Sequence, residues 1–462
     1  MSNDFELRGK RVLVVGLART GIAVALFCAE REALVTASDV RNEAELGEVV
    51  AQLRESEVTV AFGAQDEKVF TDQDLIVPSP GVPADLPGLL AARTAGVTVW
   101  SEIELADRFL NGKLIGITGS NGKTTTTSLV EHILRNAGIA TVLAGNIGTP
   151  LIARVHETRD DTTTVAELSS FQLELIETFR PNISLFLNLT PDHLDRHHTF
   201  AAYGAAKARI FENQTEQDFA VLNADDPATA QLAPTRPRLY WFSRKQRVAQ
   251  GAYLRGGEIV FRYDGEEENV LRVEDIPLAG AHNLENVLAA VVACRLAGAG
   301  SAAIAKGVRS FSGVEHRLEF VAEIAGVRYY NDSKATNVDA TLKALDAFAG
   351  RILVILGGKD KGSDYTVLRP PLRDKAILAL LIGTAADKIE KQIAGSVAIE
   401  RANTMERAVE VAAHAAQAGD IVLLAPACAS FDQFQSYEHR GRVFKNLVHQ
   451  LEQASAGAAS GK

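Results

Sequence analysis

The stretch Leu114–Leu134, LIGITGSNGKTTTTSLVEHIL, decides the fold, and it poses a problem: four threonines in a row stand where a helix should begin. Threonine's branched Cβ restricts χ1 and lowers helix propensity. The run before it, 113–118, is apolar in the way a parallel strand buried on both faces requires. The residues after it, Leu129, Val130, Ile133 and Leu134, keep helical spacing, with Gly138 placed to end the helix. Between strand and helix lies Gly119-Ser120-Asn121-Gly122-Lys123-Thr124-Thr125, a phosphate-binding loop in the right context. Gly119 and Gly122 let backbone N–H groups point at phosphate oxygens, Lys123 neutralises charge, and the Thr124 hydroxyl suits Mg²⁺. Ile117 stands where a strict GxxxxGK[ST] loop has its first glycine. Hydroxyls near phosphate and metal thus explain part of the threonine run, and Thr126 and Thr127 are expected to pack or cap.

Other apolar runs of the same kind recur at 11–16, 183–189, 351–358, 376–383 and 420–427, with helical patterns between them. The fold class is therefore α/β, with mainly parallel sheets. Joints at RFLNGK (108–113) and RSFSGVEHRLEF (309–320) divide the chain into three expected domains: 1–110, 111–312 and 313–462. The segment 239–265 is turn-rich and alternating, which predicts a small antiparallel excursion in the middle domain. The tail from 453 to 462 is low in complexity and expected to be disordered.

A second nucleotide signature opens the chain. The strand 11–15 runs into Gly16-Leu17-Ala18-Arg19-Thr20-Gly21, a GxAxxG variant of the dinucleotide fingerprint, and Asp39 follows at the end of the strand LVTASD. That spacing suits a phosphate on a helix N-terminus and a carboxylate near sugar or base hydroxyls. Ala18 replaces a glycine, so a purely structural strand–turn–helix also fits. The Pro/Gly loop VPSPGVP (77–83), with Ser79 and Gly81, is either a second wall for a nucleotide or a plain turn.

The 462 residues are 47% hydrophobic and 23% charged, with a formal net charge of −10 and a pI near 5.6. This balance argues against general affinity for nucleic acid or acidic membranes. Cys28, Cys294 and Cys428 lie far apart without CxxC spacing, so neither a zinc site nor a disulfide framework is suggested. No apolar run approaches the roughly 18 residues that span a bilayer, and no signal-peptide pattern is present. A cytoplasmic location and no membrane insertion are expected.

Downstream, Glu167 ends the strand TTTVAE and His193 follows the strand 183–189, an acid and an imidazole at the carboxyl ends of strands beside a phosphate loop. Each is a credible metal or substrate ligand. Lys207, in AAYGAAKARIFEN, reads as a solvated helix lysine on composition alone.

GSNGKTT, AELSSFQLE, NLTPDHLDRH with AAKARIF, GAHNLEN, HRLE, NDSKATN and LLAPACASFDQF occur together and in this order. In that combination the chain closely resembles the Mur ligases over nearly its whole length. The resemblance implies a UDP-binding Rossmann-like N-terminal domain, a P-loop ATPase-like central domain and a Rossmann-like C-terminal domain that receives an amino acid. The implied activity is ATP-dependent addition of D-glutamate to UDP-N-acetylmuramoyl-L-alanine in peptidoglycan precursor synthesis, with ATP and two Mg²⁺, by a monomer.

Residue by residue, the resemblance makes Lys123 and Thr124 contacts to ATP and Mg²⁺. Glu167 and His193 become metal ligands, and Lys207 becomes a carbamylated lysine that joins them. Asn283, Asn286, Arg317 and Asp332 match the nucleotide site, and Lys334 approaches the transferred phosphate. Arg19, Thr20, Asp39, Ser79, Gly81, Asn146 and His193 match the UDP-muramoyl substrate, while Thr336, Lys361, Ser430 and Tyr437 line a glutamate pocket. Two departures stand out: Tyr437 replaces a frequent phenylalanine, and GGKDKG leaves Lys359 as an alternative to Lys361. The chemistry implied is phosphoryl transfer from ATP to the alanyl carboxylate, followed by attack of the glutamate amine on the acyl phosphate. Another Mur ligase, an L-glutamate variant, folylpolyglutamate synthase, an NAD-dependent oxidoreductase and a non-catalytic nucleotide-binding protein are the competing readings. The oxidoreductase leaves the second phosphate loop idle, and the non-catalytic protein leaves Glu167 and His193 unexplained.

Overall fold

The computed structural model describes residues 5–63, 66–278 and 280–460. Backbone contacts divide the chain into two compact units, one of residues 1–275 with 285–311 and one of residues 276–284 with 312–462. The first unit holds two sheets. Five parallel strands lie in the order Thr59–Phe62, Leu34–Asp39, Arg11–Val15, Leu75–Pro78, Thr98–Val99. Arg11–Val15 is central, and four of its five residues are buried, which is why the run is apolar without alternation.

The second sheet has nine strands, and the phosphate-loop strand Lys113–Thr118 lies inside it between Ile183–Phe186 and Thr163–Glu167, parallel to both. Thr141–Gly145 closes one edge. The other side continues through Phe219–Asn223 and Arg238–Ser243 to Gly251–Arg255, Glu258–Tyr263 and Glu266–Arg272. The predicted excursion at 239–265 is therefore an extension of the main sheet. Arg238–Ser243 pairs parallel to both neighbours, and antiparallel pairing begins only between Gly251–Arg255 and Glu258–Tyr263. Buried Tyr240 and Phe242 bind this strand to the core that the segment's turns alone did not reveal. One hydrophobic core runs from Val12, Val14 and Val24 through Trp100 and Ile103 to Leu151, Phe179 and Phe186, joining the two sheets of this unit.

The second unit is built on six strands in the order Glu319–Ile324, Val327–Asn331, Ile421–Leu424, Ile352–Gly357, Ala376–Ile382, Ala398–Asn403. The first pair is antiparallel and the rest are parallel. Helices cover two separate cores on its faces. The helix Tyr437–Ser460 extends into the tail expected to be disordered, because an Ala-rich sequence propagates a helix already nucleated by packing; residues 461 and 462 lie outside the described residues. Among the described residues, no helix is long and apolar enough to cross a membrane.

Candidate functional site

In the first unit the phosphate loop connects strand Lys113–Thr118 to helix Lys123–Asn136. Gly119 and Gly122 have φ of +151° and +82°, values that a side chain disfavours. A Cβ on Gly122 would stand 2.3 Å from Asn286 Oδ1, so the loop is pressed against the helix Ala281–Leu296. Asn286 Oδ1 also accepts from the Thr126 hydroxyl at 3.2 Å, and the Thr127 hydroxyl donates to Lys123 O at 2.8 Å. The third and fourth threonines thus hold the helix start. Lys123 Nζ donates to Gly119 O at 2.8 Å and Ser120 O at 2.9 Å, folding back over its own loop.

Residues to which the sequence assigned no role brace this loop. Asn188 Oδ1 accepts from Asn121 N at 2.8 Å, Thr190 O accepts from Ser120 Oγ at 2.9 Å, and Tyr203, fully buried, lies 3.2 Å from Ser120 Oγ. Asn188 and Thr190 belong to the NLTPDH run, where the histidine alone suggests a ligand, and Tyr203 stands in the Ala-rich FAAYGAAKA segment.

Glu167 is buried, and its two oxygens are divided: Oε2 accepts from the Thr124 hydroxyl at 2.8 Å and Oε1 from Asn146 Nδ2 at 2.9 Å. A hydroxyl and a carboxylate at the mouth of a phosphate loop are the hard oxygen donors that Mg²⁺ prefers. The buried Thr125 Oγ1 has no hydrogen-bond partner among the described residues. An orphaned hydroxyl in this loop is what an absent phosphate or metal shell would satisfy. The residues therefore fit Mg²⁺ with nucleotide.

Lys207 is not a solvated lysine. It is 2% exposed, its Nζ donates to Gly119 O at 2.9 Å, and it lies 4.8 Å from the centre of the Tyr203 ring. Burial, aided by repulsion from Lys123, lowers its pKa well below the usual lysine range. The helical spacing of FAAYGAAKA shows alanines on every side, so the sequence could not tell which face was inward.

His193 is more open. It sits at φ +52° on the loop after Ile183–Phe186, edge-on to Phe171 at 5.0 Å, with Nε2 3.6 Å from Asp192. The structure brings Glu167, Thr124, Asn146 and Lys207 around one loop, and His193, half exposed, lies 6.3 Å from the ring of Tyr203 that braces it. Among the described residues, only Glu315, His316 and Glu319 bring three His, Cys or carboxylate ligand atoms together, and there Lys445 Nζ already lies 3.1 Å from Glu315 and 2.5 Å from Glu319.

A cleft of about 400 Å³ gathers the other substrate candidates of this unit: Arg19, Thr20, Asp39, Ser79, Gly81 and Asn146 all line it. Ser79 Oγ donates to Gly16 O at 2.6 Å, so the Pro/Gly loop is indeed fastened to the fingerprint turn. Arg19 Nη1 reaches Gly148 O at 2.5 Å across the same cleft. Asp39 accepts from Leu17 N at 2.7 Å and from Arg41 Nε and Nη2 at 2.9 and 2.8 Å. Arg41 holds this carboxyl well below the usual carboxylate range. Arg41 and Gln172 also line the cleft and were missed, although a cation two residues beyond the fingerprint acid was visible in the sequence.

In the second unit, Asp332 is buried and accepts from Leu318 N at 3.3 Å, and burial raises its pKa to about 6 against the pull of Arg317. The buried Arg317 Nε has no partner among the described residues. Lys334 N donates to His316 O and Thr336 N to Lys334 O, and Lys334 Nζ lies 5.6 Å from the Tyr437 ring centre. Asn283 is buried at the start of helix Ala281–Leu296. Ser430 is buried and Lys361 exposed. Arg440, fully buried, was not foreseen: Nε donates to Ser333 Oγ at 3.0 Å, Nη2 to Ser333 O at 2.8 Å and Nη1 to Cys428 O at 3.2 Å. It joins the 332–336 segment to the loop that carries Ser430. Burial lowers its pKa to about 10, which leaves it charged near neutrality.

Family profiles match three consecutive stretches: a Mur ligase MurD-like N-terminal domain at 10–101, a Mur ligase middle domain at 117–294, and a Mur ligase glutamate ligase domain at 316–428. The UDP-N-acetylmuramoylalanine–D-glutamate ligase of Koribacter versatilis is 54% identical over 447 residues, covering 96% of this chain and 98% of that protein. That of Solibacter usitatus is 56% identical over 449 residues, covering 97% and 99%. Among solved structures, UDP-N-acetylmuramate-alanine ligase MurC from Thermotoga maritima shares the fold, with a TM-score of 0.59 at 20% identity over 96% of this chain and 100% of that one. A phosphate loop backed by a threonine–glutamate pair, a second nucleotide fingerprint and these matches lead to one conclusion: the chain belongs to the Mur ligase family.

Proposed function

We propose that this ligase adds D-glutamate to UDP-N-acetylmuramoyl-L-alanine at the expense of ATP, in the cytoplasm, as a step of peptidoglycan precursor synthesis. The observation that carries the reading is identity of 54 to 56% over nearly the full length to relatives named for that reaction. The work divides among residues 1–110 for the UDP end, 111–312 for ATP and 313–462 for glutamate, in a monomer.

ATP's phosphates lie on the loop Gly119–Thr125, where Lys123 exchanges its two loop carbonyls for phosphate oxygens. Asn283, Asn286, Arg317 and Asp332 complete the nucleotide site. Thr124, Glu167, His193 and a carbamylated Lys207 would hold Mg²⁺, which when bound supplies charge stabilisation to the transferring phosphoryl group. Arg19, Thr20, Asp39, Ser79, Gly81 and Asn146 hold the UDP-muramoyl substrate along the cleft. The alanyl carboxylate oxygen attacks the γ-phosphorus, the bond to the β-bridging oxygen breaks, and ADP leaves. Lys123 and Lys334 offset the charge that develops. The glutamate amine, held with its carboxylates on Thr336, Lys361, Ser430 and the Tyr437 segment, attacks the acyl carbon. The tetrahedral species loses phosphate, and the amine proton passes to a base as the amide forms.

Phosphate release from ATP tests the reading. It should require UDP-N-acetylmuramoyl-L-alanine and D-glutamate together. Release with L-glutamate but not D-glutamate would reassign the amino acid, and release with neither would overturn the ligase assignment.

A further inference from the structure

The loop Gly358–Ser363 carries both candidate lysines of the glutamate pocket, and between them lies Asp360, partly buried and fully bonded. Its Oδ1 accepts from the Tyr365 phenol at 2.8 Å and from Ser363 N at 3.2 Å, and its Oδ2 accepts from Lys388 Nζ at 2.8 Å. Lys359 and Lys361, on either side, are exposed. Tyr365 is fully buried, and its oxygen is also 3.0 Å from Cys428 Sγ. A phenol has one proton, and an ionised carboxylate is the stronger acceptor. The proton therefore goes to Asp360, and the thiol donates to the phenol oxygen. Burial agrees with a protonated thiol, since it pushes Cys428 up to about 11.

Cys428 lies two residues before Ser430 in the other wall of the same pocket. A backbone bridge joins the walls as well: Lys359 N donates to Ala429 O at 2.8 Å, and Ala429 N donates to Lys359 O at 3.2 Å. The approach is so close that a Cβ on Gly358, whose φ is +135°, would lie 2.2 Å from Ala429 O. Gly357 N donates to Pro426 O at 2.8 Å just before it, so the phenol adds a side-chain tie to backbone bonds between two largely buried stretches. A chain of hydrogen bonds thus runs inward from partly exposed Lys388 and Asp360 to buried Tyr365 and Cys428.

Resting on the proposed reaction, we infer that Tyr365 and Asp360 are positioning residues for glutamate: they fix the separation of the two loops that present Lys361 and Ser430 to the amino acid. Neither touches substrate. A dicarboxylate bound by groups on two loops is sensitive to their spacing, because both contacts must be made at once.

The test compares D-glutamate KM, ATP KM and kcat for wild type, Tyr365→Phe, Asp360→Asn, Lys388→Met and Lys388→Arg. Tyr365→Phe keeps the ring in the core, and Lys388 is partly exposed, so variants at both positions leave the fold measurable. Tyr365→Phe, Asp360→Asn and Lys388→Met should raise the glutamate KM roughly tenfold, with kcat and ATP KM within about twofold of wild type. Lys388→Arg keeps the ion pair and should retain the wild-type glutamate KM. An unchanged glutamate KM in folded Tyr365→Phe and Lys388→Met would overturn the inference, as would an equal rise in both KM values. Wild-type enzyme that needs no D-glutamate for phosphate release would instead overturn the reaction on which it rests.

Discussion

Replacing Glu102 by Gln should make the first unit more stable at pH 8 and leave it nearly unchanged at pH 4.5. Glu102 is 1% exposed, on the helix Glu102–Asp107. Its Oε1 accepts from Ile152 N at 2.7 Å, and its Oε2 lies 3.5 Å from Gln172 Nε2. Ile152 belongs to the short helix that follows the Asn146–Pro150 wall of the cleft, and Gln172 lines the same cleft. Burial raises the carboxyl pKa from 4.5 to about 7, against the opposing pull of Ile152, Gln172 and Leu151. Between those two values the native state binds more protons than the unfolded chain, so stability falls as pH rises through the window. Above pH 7 the full cost of burying the anion is present, about 3 kcal/mol for a shift of this size. Glutamine keeps an oxygen for Ile152 N and carries no charge. Both tryptophans, Trp100 and Trp241, lie in the first unit, so their fluorescence in urea reports its unfolding. The variant should exceed wild type by about 3 kcal/mol at pH 8, with the gap closing as pH falls toward 4.5. A gap that is the same at both pH values, or a variant weaker at pH 8, would refute the reasoning.

Three further outcomes follow from the same geometry. Lys123→Ala should lose more than about a hundredfold in turnover while retaining its thermal midpoint, because the ammonium touches loop carbonyls and not the core; near-normal activity in a folded variant would remove the phosphate-loop assignment. Lys207→Ala should lose most activity and recover part of it with formate or acetate, which can occupy the vacated ligand position; full activity without additive contradicts the carbamate. Asp332→Asn should stabilise the second unit by about 3 kcal/mol at pH 7.5, seen by calorimetry as a higher thermal midpoint, since the pKa of Asp332 is raised to about 6 and its burial penalty is complete above that pH. Turnover should fall in the same variant, and a lower midpoint would contradict the burial argument.

Contiguous signals were legible in the sequence. The apolar runs at 11–15, 113–118 and 352–357 became central parallel strands because burial on both faces removes the need for alternation. The phosphate loop was legible for the same reason: its glycines, lysine and hydroxyls act at fixed offsets along one turn. Groups whose partners lie far along the chain were not. Arg440 meets Ser333 at a separation of 107 residues, and Tyr365 meets Cys428 at 63. No local pattern marks such an arginine as buried rather than solvated. Lys207 was hidden by alanine, which fits either face of a helix. The strand Arg238–Ser243 was read into an antiparallel excursion because its turns are local, while its parallel pairing to Phe219–Asn223 is not.

The central claim is that the alanyl carboxylate is activated by phosphorylation before the amine attacks. UDP-N-acetylmuramoyl-L-alanine carrying ¹⁸O in both carboxylate oxygens, incubated with ATP, Mg²⁺ and D-glutamate, tests it directly by mass spectrometry of the released phosphate. The account predicts one ¹⁸O in each phosphate and one retained in the new amide. Unlabelled phosphate formed alongside the amide product would contradict it.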